Sequence, residues 1–465
     1  MNLHETLEAL RGKRAAMIGK PASFTYEELA RYLKKEADIT LEASLTTDTA
    51  IAFEAPKLNP VEEMQSEEAY EAGVTLLKLS ELEKAVAQSL KPDAVLMSIK
   101  LTNDQGRIYR LLGNAHIDDA LFLRLLKAYA WGEIGDDIRE DRDVVTYTLR
   151  RFLQVRPTEE DLLTTYLSLR RLATQTENAE LLDALAYFPD YDFSVRGKAR
   201  VSLYETVAAN PNIAQSTVER LLSLRRSEIY RALAGNAGVS HEIRRHLFGL
   251  DDAEVDKALA HNRAIDDALF EALLQRGNEE TAALLAVRQS IDVARYEMLR
   301  RYITDPALLA LTGANESIDT ALADRLSREG DEATARHLAQ NPTVTTAQLE
   351  RLYARFGETL REAMAANPHT PAELLEQWFS QSDKRDTLAA ALAQNPALDA
   401  AKLDELYAKG DFEVHKALAV NPSCSDMLLD QLKLDSRLQP YLAQNEKLIR
   451  SYEAVLNQQK AMMNV

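Results

Sequence analysis

An asparagine recurs through the second half of this chain at a nearly fixed interval, and no other feature limits the fold as tightly. Asn210, Asn236 and Asn262 stand 26 residues apart, and Asn315, Asn341, Asn367, Asn395, Asn421 and Asn445 follow one another at intervals of 24 to 28. The slot between Asn262 and Asn315 falls on Arg288, 26 residues beyond the former. A period of this length marks one supersecondary unit that cannot bury its apolar face alone and is stacked on copies of itself.

The columns around the asparagine say what the unit is. Three positions before it stands a large apolar residue, as in Val207, Leu233, Leu259, Leu285, Leu338, Met364, Leu392, Leu418 and Leu442, and two before it an alanine, from Ala208 to Ala443. Ile229 with Leu233, Val255 with Leu259, and Val414 with Leu418 are i, i+4 pairs on one face of a helix. About two turns long, such a helix does not persist alone in water. It must pack on neighbours, and the alanine lets the next backbone come close. The unit beginning near Ile303 is irregular, with Thr312 and Gly313 in these two columns.

Asparagine then stops the helix in one of two ways. It can take the left-handed conformation that closes a C-terminus. Alternatively, because proline follows at Asn210, Asn341, Asn367, Asn395 and Asn421, it can be extended and bracket the turn with its side chain. Four positions on, Ser240, Asp266, Asp292, Asp319, Thr345, Asp399 and Ser425 are N-cap residues for a second helix. Thr345 with Gln348 and Thr370 with Glu373 have capping-box spacing, the latter with Pro371 at the first helical position. Eleven positions after the marker the chain is apolar again, from Leu221 to Leu456, with Trp378 in one unit. Each unit therefore reads short helix, stop, turn, cap, longer helix.

Upstream the beat weakens. Asn114 matches, with Leu111 before it, Asp118 as cap and Leu125 eleven after, and a second copy beginning at Phe152 puts Val155 in the slot. Tyr187 to Gly197 reads as a loop between blocks. Near the start, Thr25 and Glu28 box a helix running to about Lys35. Residues 36–71 hold ten acidic residues and one basic, Lys57, which reads as a linker or mobile arm, although Thr49 to Phe53 has the make-up of a short strand. The expected organisation is a helical segment at 1–35, an acidic arm at 36–72, degenerate helical repeats at 73–190, a regular array at 191–456 and a tail at 457–465.

Within this array, LREAMAANPHTPAELLEQW, Leu360 to Trp378, resembles the variant leucine-rich repeat (LRV), in the wider company of HEAT-like helical repeats. The likeness covers roughly Val201 to Leu456, and the units are about two residues longer than the usual LRV repeat. It implies an all-α fold, a right-handed α-solenoid of ~26-residue helix-pair repeats, in which ten units would span on the order of 100 Å. The iron–sulfur module that accompanies LRV repeats elsewhere cannot carry over, because Cys424 is the only cysteine. HEAT-like DNA glycosylases are related by architecture and rely on a basic channel.

The formal charge of −18, from 73 acidic and 55 basic residues, repels phosphate backbones at long range. The N-terminal MNLHETLEALRGKR has no apolar core of a secretory signal, and no run approaches the ~20 apolar residues that span a bilayer. With a single cysteine, this makes a cytoplasmic location without membrane insertion the expectation. No cofactor is expected. The two histidines of HEIRRH, His241 and His246, are five apart and so about 140° around a helix, which rules out the four-residue spacing of a zinc motif. GDDIREDRD, from Gly135, lacks the ligand alternation of a calcium loop.

No catalytic signature stands out, so a non-enzyme is favoured: a protein-binding scaffold whose partner the residues do not name. Five before the marker, Arg231, Lys257, Arg336 and Lys416 would align into a broken basic stripe and are the candidate partner-binding residues. The competing expectation is that they pair with Glu228, Glu254 and Glu413 on their own helices. Twelve after it, Phe248, Tyr353, Phe379 and Tyr407 fit packing between repeats better than a ligand ladder. The alternative function is a nucleic-acid-binding or DNA-base-repair solenoid, supported by near neutrality between Asp190 and Thr304, where 16 basic residues meet 17 acidic. In a third reading the acidic arm docks on the basic stripe and masks it.

Overall fold

In a computed structural model that describes residues 3–132, 139–153, 166–193, 201–451 and 454, the chain is mostly helical and carries one small sheet near its start. It divides into two units, Met1–Ser240 and His241–Val465. The division falls inside the array expected at 191–456, not at its start.

The first unit opens with α/β structure, which corrects the reading of 36–72 as a linker. Helix α1 (Leu3–Ala9) precedes strand β1 (Arg14–Ile18), followed by α2 (Tyr26–Ala37), β2 (Thr40–Glu42), β3 (Thr49–Glu54), α3 (Pro60–Glu71), β4 (Thr75–Lys78) and α4 (Leu79–Ser89). The four strands are parallel in the order β2-β1-β3-β4, with Ala15 opposite both Leu41 and Ile51, and Phe53 opposite Leu77. Alternation sets the two faces. Ile18 and Ala52 pack on Ala69 of α3, and Ser66 of α3 donates to Glu54 at 2.9 Å. Leu29, Leu33, Leu79 and Leu82 of α2 and α4 are wholly buried, as are Ile51 and Phe53. The buried Glu83 accepts from the N–H groups of Ala22 and Ser23 at 2.9 and 2.7 Å, fixing the loop after β1. Arg107 pairs with Glu28 at 2.8 Å and ties the sheet region to the helices that follow.

The expected helix start at Thr25 is present: Thr25 and Glu28 form a capping box. Asn59 and Glu62 form another at the start of α3, inside the supposed arm. Half of the ten acidic residues of that segment, Glu62, Glu63, Glu67, Glu68 and Glu71, sit on a helix that buries only Ser66 and Ala69. High charge excludes a core only when the charges cannot be segregated to one side.

Downstream, short and longer helices alternate as the columns require. In the second unit, Ala253–His261 packs on Glu279–Arg288, and Thr387–Gln394 on Phe412–Val420, each a first helix against the next first helix. Second helices do likewise, Asp267–Gln275 on Val293–Tyr302 and Thr320–Glu329 on Thr346–Phe356. Every Leu and Ala of the Leu-Ala-x-Asn columns at 233–234, 259–260, 338–339, 392–393 and 418–419 is buried. Asp266, Asp292, Asp319, Asp399 and Ser425 cap their helices, and Thr345 with Gln348 forms the expected box. Thr370 departs from expectation. Its hydroxyl donates to the carbonyl of Met364 at 2.6 Å and the helix begins at Ala372, so no box forms with Glu373. Val155 and the tail 457–465 lie outside the described residues.

The asparagines are extended, with φ between −74° and −83° at Asn210, Asn236, Asn262, Asn315, Asn341, Asn395 and Asn421. The left-handed alternative is therefore excluded, and the bracket holds. Asn341 Oδ1 accepts from the N–H of Thr343 at 3.0 Å, Asn367 from His369 at 2.9 Å, and Asn421 from Ser423 at 2.8 Å. The other end of each amide does something the columns did not suggest. Asn341 Nδ2 donates to the carbonyls of Gly313 and Asn315, Asn367 to those of Ala339 and Asn341, Asn395 to Ala365 and Asn367, Asn421 to Ala393 and Asn395, and Asn445 to Ala419 and Asn421, all at 2.7–3.0 Å. Each buried amide thus bonds two carbonyls at the end of the preceding first helix, one two residues before the earlier asparagine and one on that asparagine, which also accepts from the N–H three residues on. In the first unit Asn236 does the same for Ala208 and Asn210.

The slot between Asn262 and Asn315 belongs to Gln289, not to Arg288. Gln289 Nε2 donates to the carbonyls of Ala260 and Asn262 at 2.7 and 3.0 Å, and the Gln289 carbonyl receives Asn315 at 2.7 Å. Here the first helix extends one residue further, to Arg288, and the longer side chain makes up the difference. Its Oε1 is buried without a partner.

Candidate functional site

Between successive first helices of the second unit runs a groove of about 470 Å³. It lies over Thr387–Gln394 and Phe412–Val420, where Ala390, Ala391 and Ala417 line it, and Lys416, Glu413 and Tyr441 stand beside them. The helix TLAAALAQ explains the gap. Ala389 and Ala393 are buried against the ladder, while Ala390 and Ala391 on the next face have no bulk to fill the space. Gln340 and Gln394, each one residue before a ladder asparagine, also line the groove. Both are exposed.

Of the four candidate cations, only Lys416 lines this groove. It pairs with Glu413 at 3.0 Å and lies 5.3 Å from the centre of the Tyr441 ring, and the Glu413 carboxylate raises its pKa. Lys257 bridges Glu254 on its own helix, 2.8 Å away, and Glu280 on the neighbouring first helix, 2.6 Å away, and the Glu254 hydrogen bond raises its pKa. Arg336 pairs with Glu332 at 3.1 Å. In the first unit, Arg231 is exposed and makes no ion pair among the described residues. The column in the second unit runs Lys257, Leu284, Ala310, Arg336, Glu362, Ala390, Lys416, so the cations are separated by apolar and acidic positions. These are surface pairs, screened by solvent and of modest worth.

Many arginines elsewhere in the array are structural. Arg276 Nη1 donates to both oxygens of the buried Asp256 carboxylate at 2.7 and 2.6 Å, Nη2 donates to the carbonyl of Phe248 at 2.5 Å, and the guanidinium stacks 3.7 Å above the Phe248 ring. Arg295 and Arg355 likewise donate to carbonyls of the preceding repeat, at Ile265 and at Ser327 and Gly330. In the first unit Arg220 reaches the carbonyl of Ala186 and stacks on Tyr187. A cation at a helix C-terminus complements both the open carbonyls and the dipole. The near neutrality of 190–304 thus reflects in part internal pairing.

The aromatic column serves packing. Phe248 carries Arg276, Tyr353 meets Trp378 edge-on at 5.8 Å, Phe379 is buried and Tyr407 stacks on His415 at 4.9 Å. His241 lies 3.3 Å from Asp266 and His246 is exposed further round the helix. Arg139 to Asp143 of the acidic stretch begin the helix Arg139–Phe152, and 133–138 lie outside the described residues. Cys424 is buried, donates weakly to the carbonyl of Leu418 at 3.4 Å, and burial pushes its thiol up to about 12. Among the described residues no helix is long and apolar enough to cross a membrane. Compared with known proteins, the chain matches no protein-family model, no curated protein and no solved structure.

Proposed function

We propose that this protein is a non-enzymatic, cytoplasmic scaffold that binds another protein along the first-helix face of its second unit. In this reading the helix pairs stack as a right-handed α-solenoid of the LRV or HEAT-like kind, and the groove beside Ala390, Ala391 and Ala417 holds an extended segment of the partner. The observation that carries it is the groove itself: small side chains where the ladder leaves no bulk, next to the exposed amides of Gln340 and Gln394. An amide offers one acceptor and two donors, which complements the N–H and C=O groups of an extended chain.

A nucleic-acid or base-repair reading has less support. Three of the four candidate cations are paired with glutamates, and the arginines nearest the neutral block hold carbonyls.

Filling the groove tests the proposal. Ala417→Trp and Ala390→Trp are compared with the unsubstituted chain in quantitative affinity capture from the native host. A defined set of proteins should be recovered with the unsubstituted chain and lost with both variants. Equal recovery with all three, or none above background, overturns the reading.

A further inference from the structure

We infer that the outward face of α3 is a docking site for a segment of a partner protein rich in lysine and arginine and carrying aliphatic side chains. This surface belongs to the sheet region and does not depend on the groove. Helix α3 is twelve residues long and buries only Ser66 and Ala69. At 100° per residue, Tyr70, Glu67, Glu71, Met64, Glu68 and Val61 follow one another around the half of the helix that turns away from the sheet. Val61, Met64 and Tyr70 are 64%, 60% and 73% exposed, large apolar side chains among the most accessible in the described structure. They are interleaved with carboxylates rather than scattered.

Those carboxylates also stand together on one face, where some acids of the array are instead shared between two arginines, Asp324 between Arg328 and Arg351, and Glu297 between Arg300 and Arg325. Glu67, Glu68 and Glu71 make no ion pair among the described residues. A helix with a dense unbalanced charge repels itself, and exposed methionine and valine add apolar surface still in water. One kind of partner relieves both. A lysine or arginine lays its methylene stem along Met64 or Val61 and sets its charge on the glutamate beside it, and methionine adapts to whatever aliphatic shape accompanies it.

Charge selects among occupants. Nucleic acid and anionic lipid surfaces carry the same sign as the helix and are repelled. A second copy of this chain would bring the carboxylates against themselves in a two-fold contact, within a chain of net charge −18. A cationic, partly aliphatic segment of another protein remains.

The test uses the full chain and labelled peptides followed by fluorescence anisotropy. The probes are an amphipathic Lys/Leu peptide, an oligolysine of equal charge, and a Glu/Leu peptide. The variants are the triple Glu67→Lys, Glu68→Lys, Glu71→Lys and the double Val61→Ser, Met64→Ser, all at exposed positions, with thermal melting to verify the fold. The Lys/Leu peptide should bind the unsubstituted chain and lose about tenfold or more in affinity to each variant, a change of about 1.4 kcal/mol. Oligolysine should bind more weakly and ignore the double variant, and the Glu/Leu peptide should not bind. Failure of the Lys/Leu peptide to bind, an affinity unchanged by either variant, or equal binding of oligolysine overturns the inference. Ala417→Trp should leave the Lys/Leu affinity unaltered, which separates this site from the groove; a loss there counts against α3.

Discussion

The side-chain amide of Asn367 donates to the main-chain carbonyl of Asn341, 26 residues earlier, at 2.8 Å. The same nitrogen reaches Ala339, and the amide oxygen holds the N–H of His369. One buried residue therefore closes its own turn and seals the helix end of the repeat before it. Asn367→Ala should lower stability by about 3 kcal/mol, since buried groups left unpaired cost about 1–3 kcal/mol each. Asn367→Asp should cost more at neutral pH, because it sets carboxylate oxygens against two carbonyls. Urea denaturation followed by circular dichroism measures both, and a loss below about 0.5 kcal/mol for either would mean water replaces the bond.

Gly313 breaks the alanine column, and a consensus repair would restore Ala there. The structure argues the reverse. A Cβ on Gly313 would lie 2.7 Å from the carbonyl oxygen of Thr334 and 2.9 Å from the nitrogen of Leu338, both backbone atoms that cannot swing aside. Gly313→Ala should destabilise by about 1–3 kcal/mol. A raised melting temperature would show that the 3₁₀ turn Leu311–Ala314 yields more readily than its packing suggests.

Asp256 is buried, and desolvation holds its carboxyl above the usual range while Arg276 opposes the shift. A raised carboxyl pKa disfavours the ionised native state, so this group costs stability above its folded pKa and nothing below its unfolded one. Removing the guanidinium raises the carboxyl further. Arg276→Met should therefore cost about 3–5 kcal/mol at neutral pH, as breaking a buried pair does. The deficit relative to the unsubstituted chain should shrink as pH falls toward the carboxylate range. Paired urea titrations at neutral and mildly acidic pH test the sign, and a deficit that grows on acidification would refute it.

Cys424 is the one thiol in the chain, and it is buried with its pKa pushed up to about 12. Neither access nor thiolate is available for attack. A thiol-specific chromogenic reagent at mildly alkaline pH should react with the guanidinium-unfolded chain and leave the native one unmodified over the same time. Rapid reaction of the native protein would place the thiol at the surface.

Much of the helical array was legible because its determinants are local. Leu233, Ala234 and Asn236 recur at a period that only stacked units explain, and caps such as Asp266 and Ser425 act within three residues of themselves. Of the sheet only one strand was legible, Thr49 to Phe53, which is β3; the rest was not, for a matching reason. Its strands are three to six residues long, and β1 and β3 bury Ala15, Ala16 and Ala52, a residue that favours helices. Their pairing joins segments far apart in the chain. The ten acids of residues 36–71 concealed it further, because composition does not say on which face charges fall. The groove escaped notice too: Ala390 and Ala391 look like helix filler until their neighbours are in place.

The sequence alone determined that a helix ends at each Asn, since a short side chain can bracket the turn and, at five of the nine, a following proline restricts the backbone. It left undecided where the other half of each amide goes. Only the tertiary structure joins Asn367 to Asn341, and only it shows that Gln289 takes the ladder position in place of Arg288, because one added residue of helix is offset by one added methylene of side chain. Local bonding is written in neighbouring residues. Bonding between repeats depends on how closely two backbones approach, and that distance is set by the packing of the whole.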